Sequence, residues 1–194
     1  MDIKVDNICK SFNGQQVLDK VTMSFSEGLY TCIMGASGVG KTTLAYILMG
    51  LLEPDSGEIT GLSDKKISAV FQEERLIEHW DAIKNIMLVS NKDVTKEKVE
   101  RNLSKIGLTE YEGKPVKALS GGMRRRVAIV RAILSEYDVL LMDEPFKGLD
   151  EELKIQVINY VKENTKNKTL IIITHDKDEV AMLQANLITM RTED

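Results

Sequence analysis

The sequence has no excess of positive charge. Its 26 Lys and Arg are outnumbered by 30 Asp and Glu, giving a formal net charge of -4 and a pI near 5.4. No overall basic field therefore draws the chain to nucleic acid, and such affinity would need a local patch. Arg124 to Arg126 is the only such patch, and no nucleic-acid partner is expected. Cysteine is equally scarce. Cys9 and Cys32 stand far apart in apolar, strand-like contexts without metal-ligand spacing, and read as buried, reduced thiols. Long apolar runs are missing too: the longest, Leu44 to Leu52, holds a glycine and is too short to span a bilayer. The opening MDIKVDNICK has no signal-peptide core. These absences imply a cytosolic chain that reaches a membrane only through a partner. Repeats, low-complexity tracts and linker-like runs are also lacking.

What is present fits one core with a modest appendage: 194 residues, 43% hydrophobic and 29% charged. Ile3, Val5, Ile8, Val17, Val21, Met23 and Phe25 alternate with polar residues around Asn13-Gly14, which predicts strands joined by a type I′ hairpin. LYTCIMG then reads as a strand running into glycines, and KTTLAYILMGLL as a buried helix. From about residue 74, IEHWDAIKNIML and TKEKVERNLSKIG read as two helices with no strand between them, the second capped by Thr95 and ended by Gly107. VLLMDEP, the helix from about Glu151 to Asn164, TLIIITH, a further helix and LITM complete an alternation of strands and helices. That alternation implies a parallel α/β core. The expected fold is therefore α/β, with a mostly parallel sheet, an N-terminal antiparallel β subdomain and a helical insert. Residues 1–73 and 132–194 form the core and residues 74–131 the insert, all within one domain spanning 1–194.

Gly35, Ala36, Ser37, Gly38, Val39, Gly40, Lys41 and Thr42, followed by Thr43, fit the phosphate-loop spacing between a strand and a helix. Glycines let backbone N–H groups wrap an anion at a helix start, where the helix dipole favours negative charge. Lys41 then neutralises β- and γ-phosphates and the Thr42 hydroxyl ligates Mg²⁺. Asp143 and Glu144 follow an apolar strand, at the sheet edge where ligands bind in parallel sheets. There Asp143 can hold Mg²⁺ and Glu144 can deprotonate the attacking water. His175 ends another apolar strand; alone such a histidine is more often structural, but beside Asp143 a ligand contact is favoured. Gln72, after ISAVF, can bond Mg²⁺-bound water and the γ-phosphate, although by itself the sequence favours an ordinary polar loop residue. Ser120 is a good N-cap, and Gly121 and Gly122 expose N–H groups, so LSGGM opens a second anion-binding helix. The three arginines that follow are expected on a solvated face, paired to acids.

Together these motifs resemble the nucleotide-binding subunit of ATP-binding-cassette (ABC) transporters. The phosphate loop, Gln72, LSGGM at 119 to 123, VLLMDE at 139 to 144, GLD at 148 to 150 and His175 stand in the family order over essentially the whole chain. The resemblance implies an ATPase with ATP and Mg²⁺ as cofactors. It also implies a second ATPase subunit, an identical copy or a paralogue, whose phosphate-loop ATP is covered by this chain's Ser120, Gly121 and Gly122. Transmembrane permease subunits are implied as partners, with a solute-binding protein indirectly, and a peripheral place on the cytoplasmic face of the membrane. Phe12 matches the position that stacks on adenine; a core phenylalanine is the other reading. Trp80, read as part of the insert's first helix, is either a permease contact or part of the insert's core. GASGVGKTT, FQEERL and MDEPFKGLD look most like importer ATPases of the nitrate, sulfonate and taurine group, with departures at Glu74, IEHW and Arg125. The end at LITMRTED is read as the lack of a regulatory domain. Alternatives are an exporter or cell-division ATPase, a non-transport relative, or a small-molecule kinase using only the phosphate loop.

Overall fold

The computed structural model describes residues 1–191. Strands β1 (Ile3–Phe12) and β2 (Gln15–Phe25) pair antiparallel, with Phe12 opposite Gln15. Asn13 and Gly14 between them have φ of 51° and 81°, the two positive values a type I′ turn requires. The strand β3 (Tyr30–Gly35) leads through the glycine loop to α1 (Lys41–Leu48). The strand β4 (Ser56–Thr60) then joins the other edge of β1, giving a three-stranded sheet of order β2-β1-β4. Only Ile59 of β4 is even partly buried, so no apolar alternation announced it; pairing with β1 creates the strand.

The second sheet adds β5 (Ile67–Val70), β6 (Val139–Asp143), β7 (Thr169–Ile173) and β8 (Asn186–Met190) to β3, in the order β5-β6-β7-β3-β8. Every pairing in it is parallel, and every residue of β6 and β7 is buried, as expected for central strands covered on both faces. The period of two divides their side chains between two cores. Leu140, Met142, Leu170 and Ile172 pack with the helices that follow β5 and β6, whereas Leu141, Ile171 and Ile173 pack with α1 and the antiparallel sheet. This is the α/β fold the alternation predicted.

Between β5 and β6 lie α2 (Ala82–Met87), α3 (Lys96–Lys105) and α4 (Gly121–Leu134). Side-chain oxygens of Asp81, Thr95 and Ser120 cap their starts, accepting from the N–H groups of Lys84, Lys98 and Met123. The first of these helices is shorter than IEHWDAIKNIML suggested: residues 77–81 form a turn, and Trp80 sits in it, 38% exposed, rather than on a helix. Asn85 holds that turn. Its Oδ1 accepts from Ile77 N at 2.7 Å, and its Nδ2 donates to Ile77 O at 3.1 Å and Asp81 O at 3.0 Å. An intramolecular hydrogen bond contributes a net of about 0.5–1.5 kcal/mol, so Asn85→Leu, which removes these three, is expected to lower stability by about 2–3 kcal/mol in urea denaturation. A loss under about 0.5 kcal/mol would mean that water replaces the amide.

After β6 come α5 (Glu151–Asn164) and α6 (Lys177–Leu183). No helix among the described residues is long and apolar enough to cross a membrane. Of the two thiols expected to be buried, Cys32 is, inside β3, but Cys9 on β1 is only partly covered because its strand belongs to the thin outer sheet.

Candidate functional site

The glycine loop bridges the end of β3 and the start of α1. Gly40 occupies the N-cap position with φ of 97°, and a Cβ there would meet Val17 O at 2.9 Å and Leu18 Cδ2 at 2.5 Å. Only glycine fits this approach. Having no side chain, it also supplies no cap, so the first N–H groups of α1 stay open to an anion. Lys41 curls back over the loop, with Nζ donating to Gly35 O at 2.9 Å and Ala36 O at 2.8 Å. Burial pushes its ammonium below the usual lysine range, against the opposing pull of Glu144 and Asp143. A partly desolvated cation is therefore stored beside the cradle, where an arriving anion meets it without a full water shell to strip.

Opposite, the Thr42 hydroxyl donates to Asp143 Oδ2 at 2.9 Å. Asp143 is buried, and burial raises its carboxyl above the usual range, with Glu144 adding to the rise while Thr42, Lys41 and Arg125 pull it down. A buried carboxylate oxygen meeting a hydroxyl oxygen is a hard-donor pair that suits Mg²⁺. No cluster of metal-ligating His, Cys, Asp and Glu exists among the described residues. The donor set fits an ion held mainly by one carboxylate, a hydroxyl and substrate phosphates, which is how Mg²⁺ is commonly bound.

Glu144 turns out of β6 with φ of 46°, its N–H donating to Ile173 O at 2.9 Å. Its Oε1 lies 2.9 Å from His175 Nε2 and its Oε2 lies 2.8 Å from Lys147 Nζ. Burial pushes the carboxyl up, but Lys147, His175 and Lys41 together outweigh it, and the net shift is downward. Neither Lys147 nor Lys154 was anticipated. The first stands three residues after Glu144, a spacing that could have marked it. The second, on α5, pairs with Asp176 at 2.8 Å, and Asp176 caps α6 and so steadies the turn that carries His175. That link spans two elements and leaves no local signal.

These groups share a cleft of about 780 Å³. Ser37, Gly38, Gly40, Lys41, Thr42, Thr43, Gln72, Asp143, Glu144 and His175 all line it. Gly35, Ala36 and Val39 belong to the loop but not to the lining; Val39 is turned into the core beneath. Gln72 comes in on the exposed segment after β5. Phe12 ends β1 outside the cleft, 44% exposed with Lys10 Nζ 5.7 Å from its ring centre, and is not a core residue. Ser120, Gly121 and Gly122 do not line the cleft either. A Cβ on Gly122 would lie 3.4 Å from Leu149, which does line it, so α4 starts behind the 148–149 turn. Of the three arginines after it, expected on a solvated face and paired to acids, Arg124 is partly exposed and pairs with Glu74 at 3.7 Å, but the other two are not solvated. Arg125 and Arg126 are buried, because backbone carbonyls of Phe71, Gln72, Gly107 and Gly122 take their donors.

Fold and site together define a phosphate-loop nucleotide-binding protein of the α/β class. The family model described as ABC transporter matches residues 18–147, and the chain belongs to that family. It is 34% identical over 97% of its length to the spermidine/putrescine import ATP-binding protein PotA of Acetivibrio thermocellus, covering 58% of that protein. PotA of Bacteroides fragilis is also 34% identical, over 97% of this chain and 44% of its own. The chain thus spans roughly half of these curated relatives' length. Among solved structures, the dimeric structure of MJ0796, a bacterial ABC transporter cassette, superposes with a TM-score of 0.84 at 26% identity, covering 97% of this chain and 94% of that one. A dimeric post-hydrolysis state of the same cassette, bound to ADP and Pi, gives 0.83.

Proposed function

We propose that this chain is a single ATPase domain that hydrolyses ATP between two subunits and drives a membrane permease, in the direction of import. The observation that carries the proposal is the separation just described: two anion-binding helix starts, of which one chain's cleft uses only one. The second is left for a nucleotide held by another chain, a copy or a paralogue, packed head to tail.

In that arrangement the loop N–H groups and Lys41 hold the phosphates, and Phe12 is proposed to stack on adenine. Thr42, Asp143 and Gln72 would hold Mg²⁺, which supplies charge neutralisation at the β- and γ-phosphates. Glu144 takes a proton from the water that attacks the γ-phosphorus as ADP leaves. His175 of the same chain and Ser120 of the opposite one hold the γ-phosphate. Both Glu144 oxygens already have one partner here, Lys147 on Oε2 and His175 on Oε1, and each oxygen keeps a further lone pair with which to accept from the water. Gln72 and residues 74–131 pass the motion to the permease, with Trp80 as a contact. The working place is the cytoplasmic face of the membrane, and a solute-binding protein is an indirect partner. The names of the relatives favour a polyamine as the solute and lend no support to the nitrate, sulfonate and taurine group expected from the motifs.

Light scattering on Glu144→Gln protein tests the pairing. Mg·ATP is expected to convert monomer to dimer, and Ser120→Arg to abolish the conversion, because a guanidinium would fill the space left for the partner's phosphate. A dimer that forms equally well with Arg at position 120 would exclude the head-to-tail arrangement.

A further inference from the structure

The segment after β5 is tied to α4 at nearly every residue. Arg125 donates through Nη1 to Phe71 O at 2.6 Å and through Nη2 to Gln72 O at 2.5 Å. Arg131, further along the same helix, donates to Glu74 O at 2.9 Å and Arg75 O at 2.8 Å. The Glu74 carboxylate adds ion pairs, 3.7 Å from Arg124 Nε and 3.8 Å from Arg125 Nη2. The four carbonyls of Phe71, Gln72, Glu74 and Arg75 are thus held by two guanidinium groups of one helix.

On its other side the same segment touches α1. Arg75 lies 3.7 Å over the Phe71 ring and donates to the Tyr46 hydroxyl at 2.9 Å. Arg75 also lies 5.4 Å from the centre of the Tyr46 ring and Phe71 meets that ring edge-on at 6.2 Å, but the α1 side has only this one exposed hydrogen bond, whereas Arg125 is only 6% exposed. A buried guanidinium keeps its place only where its donors are filled, and its planar fork suits two nearby carbonyls as a lysine or an amide would not. If α1 and α4 move apart, the contacts on the α4 side hold and the exposed one yields.

We infer that Arg125 is a positioning residue for hydrolysis, fastening the backbone that carries Gln72 to the helix that begins at Ser120, so that the two move as one piece. Because Ser120 faces the partner's nucleotide and Gln72 its own cleft, this piece links the two ATP sites of the pair. Arg125 itself touches neither nucleotide. The inference rests on the proposed reading of Gln72 and Ser120 as nucleotide contacts.

The test combines turnover with hydrogen exchange on the full chain. Arg125→Gln is expected to lower kcat about tenfold with KM for ATP within about twofold, since the phosphate loop is untouched. In a Gln72→Ala background the same substitution should cost less than about twofold, because residues that act through one another are not additive. Arg125→Lys, which keeps the charge and loses the fork, should behave like Arg125→Gln. In nucleotide-free protein, exchange over residues 71–76 should quicken about tenfold while the interior amides of α4 keep their rate. An equal fall in kcat with and without Gln72, or unaltered exchange over 71–76, would overturn the inference. If Arg125→Gln does not fold, Arg131→Gln, which frees only the Glu74 and Arg75 carbonyls, carries the same expectations. Should the unaltered chain show no ATP turnover, the ATPase reading fails by itself, and exchange alone decides whether the segment is fastened.

Discussion

Replacing Glu144 by Gln is expected to cut ATP turnover by about 10²–10⁴-fold, the usual contribution of a positioned general base, while ATP remains bound. The amide matches the carboxylate in size, so the turn at φ 46° and the bond from Glu144 N to Ile173 O persist. What disappears is the capacity to accept a proton. The ion pair with Lys147 goes too, but Lys147 is mostly exposed at the cleft's edge, and the loss of that pair costs little. The phosphate loop and Lys41 keep their geometry because none of their hydrogen bonds involves Glu144. Two measurements check this: steady-state phosphate release, and retention of labelled ATP on the purified variant. Turnover within about threefold of the unaltered protein would remove Glu144 from the role of base and turn attention to His175.

Replacing Lys41 by Ala should act on the opposite side of the reaction, on binding. Lys41 is 7% exposed, and two of its three donors are used by the carbonyls of Gly35 and Ala36. Truncation leaves those carbonyls without a partner and takes the only lysine out of the cradle itself. Hydrogen bonds to charged groups contribute about 1.5–3 kcal/mol each, so losing those to two phosphates should weaken ATP binding by roughly 10²–10⁴-fold. Lys41→Met, which keeps the volume, separates lost charge from lost packing and should be nearly as weak. Titration with a fluorescent ATP analogue, together with the rise in thermal midpoint on adding ATP, provides the check. Affinity within about threefold of the unaltered protein would mean that the backbone N–H groups alone hold the phosphates.

Much of this architecture is legible in short-range pattern. Asn13-Gly14 dictates its turn because few residues adopt two successive positive φ angles, and the continuous apolar stretches of β6 and β7 admit only a covered strand. The caps at Thr95 and Ser120 follow from a side-chain oxygen reaching an N–H three residues on. The glycine loop and the acid pair are local as well: each depends on residues adjacent in sequence and on the strand end that precedes them.

Other features escaped because their partners lie far along the chain. The arginines read as solvated when judged by composition, yet Arg125 finds its acceptors 54 and 53 residues upstream. The turn at 77–81 looked helical until Asn85 bonded it from below, and β4 had no pattern of its own until β1 paired with it. Lys154 became part of the cleft through Asp176, 22 residues away.

The sequence by itself determined which chemistry is available, because anion cradles, caps and strand-end acids are built from neighbours whose backbone geometry is fixed by local sterics and hydrogen bonds. The tertiary structure decided how that chemistry is distributed. Packing the parallel sheet brings the ends of β3, β6 and β7 together into one cleft, and packing α4 behind the 148–149 turn keeps Ser120 out of it. Chain spacing fixes neither result, since both depend on which distant surfaces bury one another.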